Sequence, residues 1–252
     1  MRRVGHKGAD HIAPGNTFAS FQAALDAGVD MIEFDVLSEH PDGSGELLLA
    51  HDFDDAARTP HTLEEGLAHF AGAAYDGVEL DLDLKIAGYE ERVAMALQRH
   101  GLADRALVST MEDSSLALLR ARHPEIALGW SVPRLRRDPL RNPVTALPAV
   151  AILQYVRRAL PGVAANRIRR GEIEALMAHW RLVTPRLAQA IRRAGGHLYA
   201  WTVDEPRRIA ELERMGVGGV ISNDPRLFAV EAYEDEPVRS CPRRDACARN
   251  RR

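Results

Sequence analysis

One alternation dominates the chain: short apolar runs of strand length trade places with longer runs whose apolar residues recur every three to four positions. The strand-like runs are Arg3–His6, Met31–Leu37, Glu46–His51, Val78–Lys85, Ala106–Ser109, Ile126–Trp130, Gly162–Ala165, His197–Val203 and Gly218–Ser222. Helical patterns such as Thr17–Ala27, Glu90–His100, Asp113–His123, Pro185–Ala194 and Pro206–Met215 lie between most of them, and Gly28, Gly101, Gly195 and Gly216 stand where helices end. Strand–helix alternation of this kind means parallel strands joined by crossover helices. Nine strands are one too many for a closed eight-stranded barrel, and geometry removes one. Only Ser38–Gly45, with Pro41, Asp42, Gly43 and Gly45, separates Leu37 from Glu46. A parallel crossover needs about a dozen residues, whereas a turn-rich link this short makes an antiparallel hairpin. The expected fold is α/β: a (β/α)8 barrel with a short hairpin excursion after the second strand. An open doubly wound sheet is the alternative.

Residues 1–232 are expected to form this single domain, a size that α/β barrels routinely reach. Arg134–Pro148, rich in Arg and Pro, reads as a surface loop, and residues 233–252 as a disordered tail. Arg239–Arg252 holds six arginines and one aspartate, a local charge of +5, against a net charge of −3 for the whole chain. That balance argues against a nucleic-acid binder. No run of about 18 apolar residues marks a membrane span, and no apolar leader follows Met1. The two cysteines, Cys241 and Cys247, come too late to staple a core, so a reducing, cytoplasmic setting is expected.

In a barrel of this kind, chemistry sits at the carboxyl ends of the strands. Those ends are unusually polar here: Gly5-His6-Lys7-Gly8, then Glu33-Phe34-Asp35, the hairpin's return at His51-Asp52, Asp83-Leu84-Lys85, and Trp201-Thr202. Period-two alternation puts Glu33 and Asp35 on one face of their strand, about 7 Å apart. It also puts Glu79, Asp81, Asp83 and Lys85 on one face, opposite Leu80, Leu82 and Leu84. The leucines then pack outward against helices and the acids point inward. Clustered carboxylates repel one another and resist desolvation unless something positive joins them. Lys7 and Lys85, the only lysines beside 31 arginines, stand at two of these strand ends. Lys85 supplies one charge, and a divalent cation with all-oxygen ligation, Mg²⁺ or Ca²⁺, would supply the rest. The competing account is an internal salt-bridge network with arginines of neighbouring strands. His6 and His51 project into the same region and suit an acid/base pair for in-line displacement.

His6-Lys7-Gly8-Ala9, Ala13-Pro14-Gly15-Asn16-Thr17, Glu33-Phe34-Asp35-Val36, Leu49-Ala50-His51-Asp52 and Asp83-Leu84-Lys85 together resemble the signature of the glycerophosphodiester phosphodiesterase family. That signature runs His-Arg-Gly, Pro-Glu-Asn-Thr, Glu-Leu-Asp-Val, His-Asp and Glu-Ile-Lys. Trp201-Thr202-Val203-Asp204 is similar to its Trp-Thr-Val-Asn, and Gly219-Val220-Ile221-Ser222-Asn223-Asp224-Pro225 to its Gly-Ile-Ile-Thr-Asp-x-Pro. The resemblance spans residues 4–228. It implies a (β/α)8 barrel that cleaves a phosphodiester to an alcohol and a glycerol phosphate with a metal's help. His6 and His51 would be the acid/base pair and Glu33, Asp35 and Asp83 the metal ligands. Lys85 would face the phosphate, Lys7 would stand where the family has arginine, and Asn16 and Trp201 would contact substrate. Attack by water gives a linear product, whereas attack by the substrate's own hydroxyl gives a cyclic phosphate. Departures are Lys7, Gly15 for glutamate, Asp83 for glutamate and Asp204 for asparagine. In addition, only Phe53–Gly77 replaces the usual capping segment, which leaves an open mouth that suits a glycerophosphodiester or a lysophospholipid. Competing readings are a phospholipase D-like lyase acting on lysophospholipids and a non-catalytic barrel that binds phosphorylated polyols.

Overall fold

The computed structural model describes residues 1–58, 60–133 and 143–229, the backbone alone over 143–150. Along the chain run β1 (Arg2–Gly5), α1 (Phe18–Asp26), β2 (Met31–Ser38), β3 (Leu47–Leu48), α2 (Phe53–Ala56), α3 (Leu63–Phe70), β4 (Glu79–Leu84), α4 (Glu90–Arg99) and β5 (Ala106–Thr110). There follow α5 (Asp113–Arg122), β6 (Ala127–Val132), α6 (Pro143–Arg169), β7 (Ala175–His179), α7 (Pro185–Arg193), β8 (His197–Trp201), α8 (Pro206–Met215) and β9 (Gly219–Ser222). Every strand except β3 pairs in parallel with its neighbours. Because β1 pairs with both β2 and β9, the sheet closes into an eight-stranded barrel. β3 runs antiparallel to β2, with Leu48 opposite Leu37, and is the expected hairpin excursion.

The core has the two shells a barrel requires. Leu80, Leu82 and Leu84 of β4 face outward into a layer shared with Phe21, Leu67, Phe70, Val93 and Leu97 of the surrounding helices. Inside, Val4, Met31, Leu107, Ala175, Met177, Tyr199 and Ile221 fill the lower barrel. Below them Arg2 donates to Glu79 (2.6 Å) and to the Tyr199 hydroxyl (2.7 Å), so the arginine-neutralised acid foreseen as a rival account does occur, but at the barrel floor. Helix starts follow their caps: Thr17 and Thr62 each close a capping box, with Ser20 and Glu65 respectively.

One strand was misplaced by sequence reasoning. Gly162–Ala165 is not a strand but lies within α6, and the missing barrel strand is β7. The Pro161-Gly162 step suggests a break, yet Leu153, Val156, Leu160, Ala164 and Ile168 recur at helical spacing and pack against the core, so tertiary burial overrides the local signal. β7, Ala-Leu-Met-Ala-His, is made of helix-favouring residues and becomes a strand because β6 and β8 flank it. The loop expected at Arg134–Pro148 is helical from Pro143 onward, and residues 134–142 lie outside the described residues. So do the tail at 233–252 and both cysteines. Between β3 and β4 the chain forms only α2, α3 and a short turn, so no capping domain rises there.

Candidate active site

β1 ends in a tight turn that aims its side chains across the mouth. Gly8 sits at φ +82°, where a Cβ would lie 2.6 Å from the Ser20 backbone, so the turn requires glycine. Lys7 itself is left-handed (φ +50°). Its N–H donates to Glu33 Oε2 at 2.8 Å, and its carbonyl accepts from Asn16 N–H and the Ser20 hydroxyl. His6, one residue earlier, points into the barrel.

The register between β2 and β4 sets Glu33 beside Asp81 and Asp35 beside Asp83, all on the inward face. Asp35 is fully buried and held by Asn16, whose Nδ2 donates to Oδ2 (2.9 Å) and whose Oδ1 accepts from the Asp35 N–H (3.0 Å). The Lys85 ammonium contacts Asp35 Oδ1 and lies 2.5 Å from Asp83 Oδ2, and the Lys7 ammonium lies 3.8 Å from Asp35 Oδ2. Tyr89 pins the end of β4, its hydroxyl accepting from Lys85 N–H and donating to the Val36 carbonyl. Ser109, the neighbour of Asp83 on β5, turns its hydroxyl toward that carboxylate at 3.5 Å.

These groups do not share charge evenly. Burial would raise Asp35, but the Lys85 and Lys7 ammoniums outweigh it and hold the carboxyl far below its usual range. Burial would likewise lower Lys85, yet Asp35, Asp83 and Glu33 keep it well above the ordinary lysine value. Glu33 is pushed well up, first by burial and then by the field of Asp35, and the His6 ring lies 3.8 Å from its carboxyl. Asp81, 1 % exposed, is pushed well up by burial and then by Glu33 and Asp83, and its Oδ1 has no hydrogen-bond partner. Among the described residues no arginine pairs with these four acids.

His6 is recessed, and burial first of all lowers its affinity for a second proton. Its Nδ1 lies 2.6 Å from Asn223 Oδ1, so Nε2 faces Glu33 and the cavity. His51 leaves the hairpin half-exposed at the rim, its Nδ1 3.4 Å from Asp52, which also caps α2 by accepting from Asp55 N–H. That cap explains why His51, Asp52 and Asp55 cluster on the surface. Trp201 donates through Nε1 to the Met177 carbonyl and meets the His179 ring edge-on at 5.3 Å.

A cavity of about 210 Å³ at the barrel mouth is lined by His6, Glu33, His51, Asp81, Asp83, Lys85 and Trp201, together with Ser109, Met111, Ser131, Met177, Thr202 and Ile221. Lys7 and Asn16 line a neighbouring hollow of about 530 Å³ beside Asp10 and Gly15. Asn16 leaves the capping of α1 to Thr17. A glutamate at position 15 would crowd Asp10, since a Cβ there meets Asp10 Oδ1 at 2.6 Å. Sequence reasoning overlooked Ser109 and the pair Asp204–Asn223. Register points to Ser109, which adjoins Asp83, whereas Asp204 and Asn223 lie beyond the ends of β8 and β9, where no register reports them.

The donor set fits a hard dication. Ligand atoms of Glu33, Asp35 and Asp83 lie within 4.8 Å of one another and all are carboxylate oxygens. The four acids also outnumber the lysines that face them by two.

The model of the glycerophosphoryl diester phosphodiesterase family matches residues 6–61 and 58–227. A glycerophosphodiester phosphodiesterase of Caldanaerobacter subterraneus is 24% identical over 89% of this chain and 95% of its own length. Two solved structures share the fold. A putative glycerophosphoryl diester phosphodiesterase of Silicibacter pomeroyi has a TM-score of 0.69 and 18% identity, over 90% of this chain and 91% of its own. A phosphodiesterase of Oleispira antarctica, in complex with the product sn-glycerol-3-phosphate, has a TM-score of 0.67 and 21% identity, over 91% and 95%. With the family model matched over nearly the whole barrel, the chain belongs to the glycerophosphoryl diester phosphodiesterase family.

Proposed function

We propose that this protein hydrolyses glycerophosphodiesters to a glycerol phosphate and an alcohol, using a divalent cation held by Glu33, Asp35 and Asp83 and an acid/base pair of His6 and His51. The observation that carries the reading is the convergence of the Glu33, Asp35 and Asp83 carboxylates beside a cavity that Glu33, Asp83 and Lys85 line together with the two imidazoles. A bound Mg²⁺ or Ca²⁺ would supply Lewis-acid neutralisation of the phosphoryl oxygens. Lys85 already carries a proton and places a fixed positive charge at the same spot, while Asn16 keeps Asp35 from rotating away. His6, neutral near pH 7 because it is recessed, takes the proton of the attacking hydroxyl at Nε2. His51 at the rim returns a proton to the departing alkoxide. If the nucleophile is the substrate's own glycerol hydroxyl, the first product is a cyclic phosphate, which water then opens through the same two groups in reversed roles.

Turnover of bis(p-nitrophenyl) phosphate and glycerophosphocholine, measured with Mg²⁺, Ca²⁺ or EDTA, tests the assignment, and ³¹P NMR of the product separates cyclic from linear routes. Because no capping domain stands between β3 and β4, lysophosphatidylcholine belongs in the same assay. His6→Ala and His51→Ala are each expected to lose about 10²–10⁴-fold in kcat. Full activity in either variant, or indifference to EDTA, overturns the assignment.

A further inference from the structure

Behind His6 lies a chain of hydrogen bonds that reaches a carboxylate not in contact with the ring. His6 Nδ1 is 2.6 Å from Asn223 Oδ1. The other end of that amide, Nδ2, donates to Asp204 Oδ2 at 2.7 Å, and the Asn223 main-chain N–H donates to Asp204 Oδ1 at 2.8 Å. The Ser222 hydroxyl adds a third donor to the carboxylate, reaching Oδ1 at 3.0 Å. The loop that carries Asp204 is tied to β9 through Val203 N–H and the Ile221 carbonyl, and β1 through His6 N–H and the Ser222 carbonyl, so all three residues sit on one rigid seam.

The polarity of this chain is not free. A carboxylate only accepts hydrogen bonds, so Asn223 must turn its NH₂ toward Asp204, because the flipped amide would set two oxygens 2.7 Å apart. Its Oδ1, which also only accepts, then faces His6, and a contact at 2.6 Å requires the hydrogen to be on Nδ1. The neutral ring therefore presents a lone pair at Nε2, toward Glu33 and the cavity. We propose that Asp204 is a positioning residue that acts through Asn223 to fix the Nδ1–H tautomer of His6, leaving Nε2 as the ring atom that exchanges protons with substrate. The inference rests on His6 being the acid/base group proposed above.

Reciprocal substitution tests this. Asp204→Asn leaves two amides facing each other, either of which can flip, and the ring loses its fixed tautomer. Asn223→Asp brings two carboxylates together. The double exchange restores one carboxylate and one amide with the ring still donating from Nδ1. With bis(p-nitrophenyl) phosphate, each single variant is expected to lose at least about tenfold in kcat with KM little changed, a mistaken tautomer having a large effect in comparable His sites. The double variant is expected to recover to within about threefold of the parent. In parallel, ¹⁵N-resolved NMR of the imidazoles in the cation-free protein reads the tautomer without any turnover: Nδ1–H in the parent and the double variant, a mixture in Asp204→Asn. An Nε2–H ring in the parent, a fully active Asp204→Asn, or a double variant as impaired as its singles combined overturns the proposal. If His6→Ala is active, the functional assignment fails while the tautomer measurement still decides the hydrogen-bond chain. Should Asp204→Asn not fold, the parent spectrum and the double variant decide.

Discussion

On the proposed ligand set, cation binding in this barrel is a proton exchange, and its size follows from the residues present. Glu33, Asp35, Asp81 and Asp83 face Lys7 and Lys85, so full ionisation leaves two uncompensated negative charges in a recess. Without a cation the excess is absorbed by protons: Glu33 and Asp81 are raised well above the usual carboxylate range, chiefly by burial, while Asp35 stays ionised beside Lys85. A ligand must be deprotonated to bind metal, so each ion displaces at least the Glu33 proton. One proton per ion makes the association constant rise about tenfold, or about 1.4 kcal/mol, per pH unit until the folded value of Glu33 is passed. Calorimetric titration of Mg²⁺ or Ca²⁺ into EDTA-stripped protein, in buffers of different ionisation enthalpy, counts that proton directly. The same groups set the stability of the cation-free protein. Glu33 and Asp81, raised on folding, contribute stability fully present below about pH 4 that is lost as pH climbs through their folded values. Asp35, lowered on folding, contributes stability that persists above about pH 4 and is lost only in strong acid. Above about pH 4 the first effect is the one that changes, so the stripped protein should melt lower as pH rises, and saturating cation should erase the difference. Glu33→Gln, which has no such proton to lose, should show a flatter dependence in both measurements. Zero proton release across that range, or a stripped protein that grows more stable as pH rises, refutes the reasoning.

Two further outcomes separate what holds the site from what holds the fold. Asn16→Ala removes one charge-assisted and one main-chain hydrogen bond to buried Asp35 and forces alanine into φ +59°, a combined loss of about 3–5 kcal/mol. Asn16→Gly loses the same bonds without the backbone strain and should be about 1 kcal/mol more stable than the alanine variant, the reverse of the usual order; urea unfolding that ranks alanine higher refutes the left-handed assignment. At the opposite end of the barrel, Arg2→Met with Glu79→Gln removes a pair whose side chains are each about one-third exposed. It should change stability by about 1 kcal/mol or less and leave kcat unchanged, since the floor supports the fold and not the reaction; a tenfold fall in kcat refutes that division.

The barrel could be read from the chain because its period-two and period-3.6 patterns do not overlap, and because the Ser38–Gly45 link is too short for a crossover. β7 could not. Its five residues, Ala175–His179, carry no β-branched side chain, and only the strands on either side make it a strand. The acids of β2 and β4 were legible for a local reason: alternation along a single strand says which residues share a face, and the outward leucines of β4 confirm the phase. Asn223 and Asp204 were not, since Asn223 meets His6 across 217 residues and Asp204 meets Asn223 across 19, separations that no local period reports. Gly15 shows the same limit. The sequence registers a missing glutamate, but only the coordinates show Asp10 in the space its Cβ would need, accepting from the Gly15 N–H.

The inward face of β4 shows where function begins in this fold. At its lower end Glu79 is matched by Arg2, an acid the fold satisfies from its own strands. One step up, Asp81 is 1 % exposed with an unpartnered oxygen, beside the equally buried-in Glu33, where a barrel shaped for stability alone would carry a branched apolar side chain. At the upper end Asp83 shares Lys85 with Asp35, so one ammonium serves two carboxylates. The acid at the floor thus has a cation to itself and the two above it do not, and the deficit is negative charge. A protein that only bound a neutral polyol would gain nothing from it, since hydroxyls neither need nor relieve a net charge. A site that gathers a cation and then a phosphodiester does gain, because the first offsets the deficit and creates the positive field that holds the second.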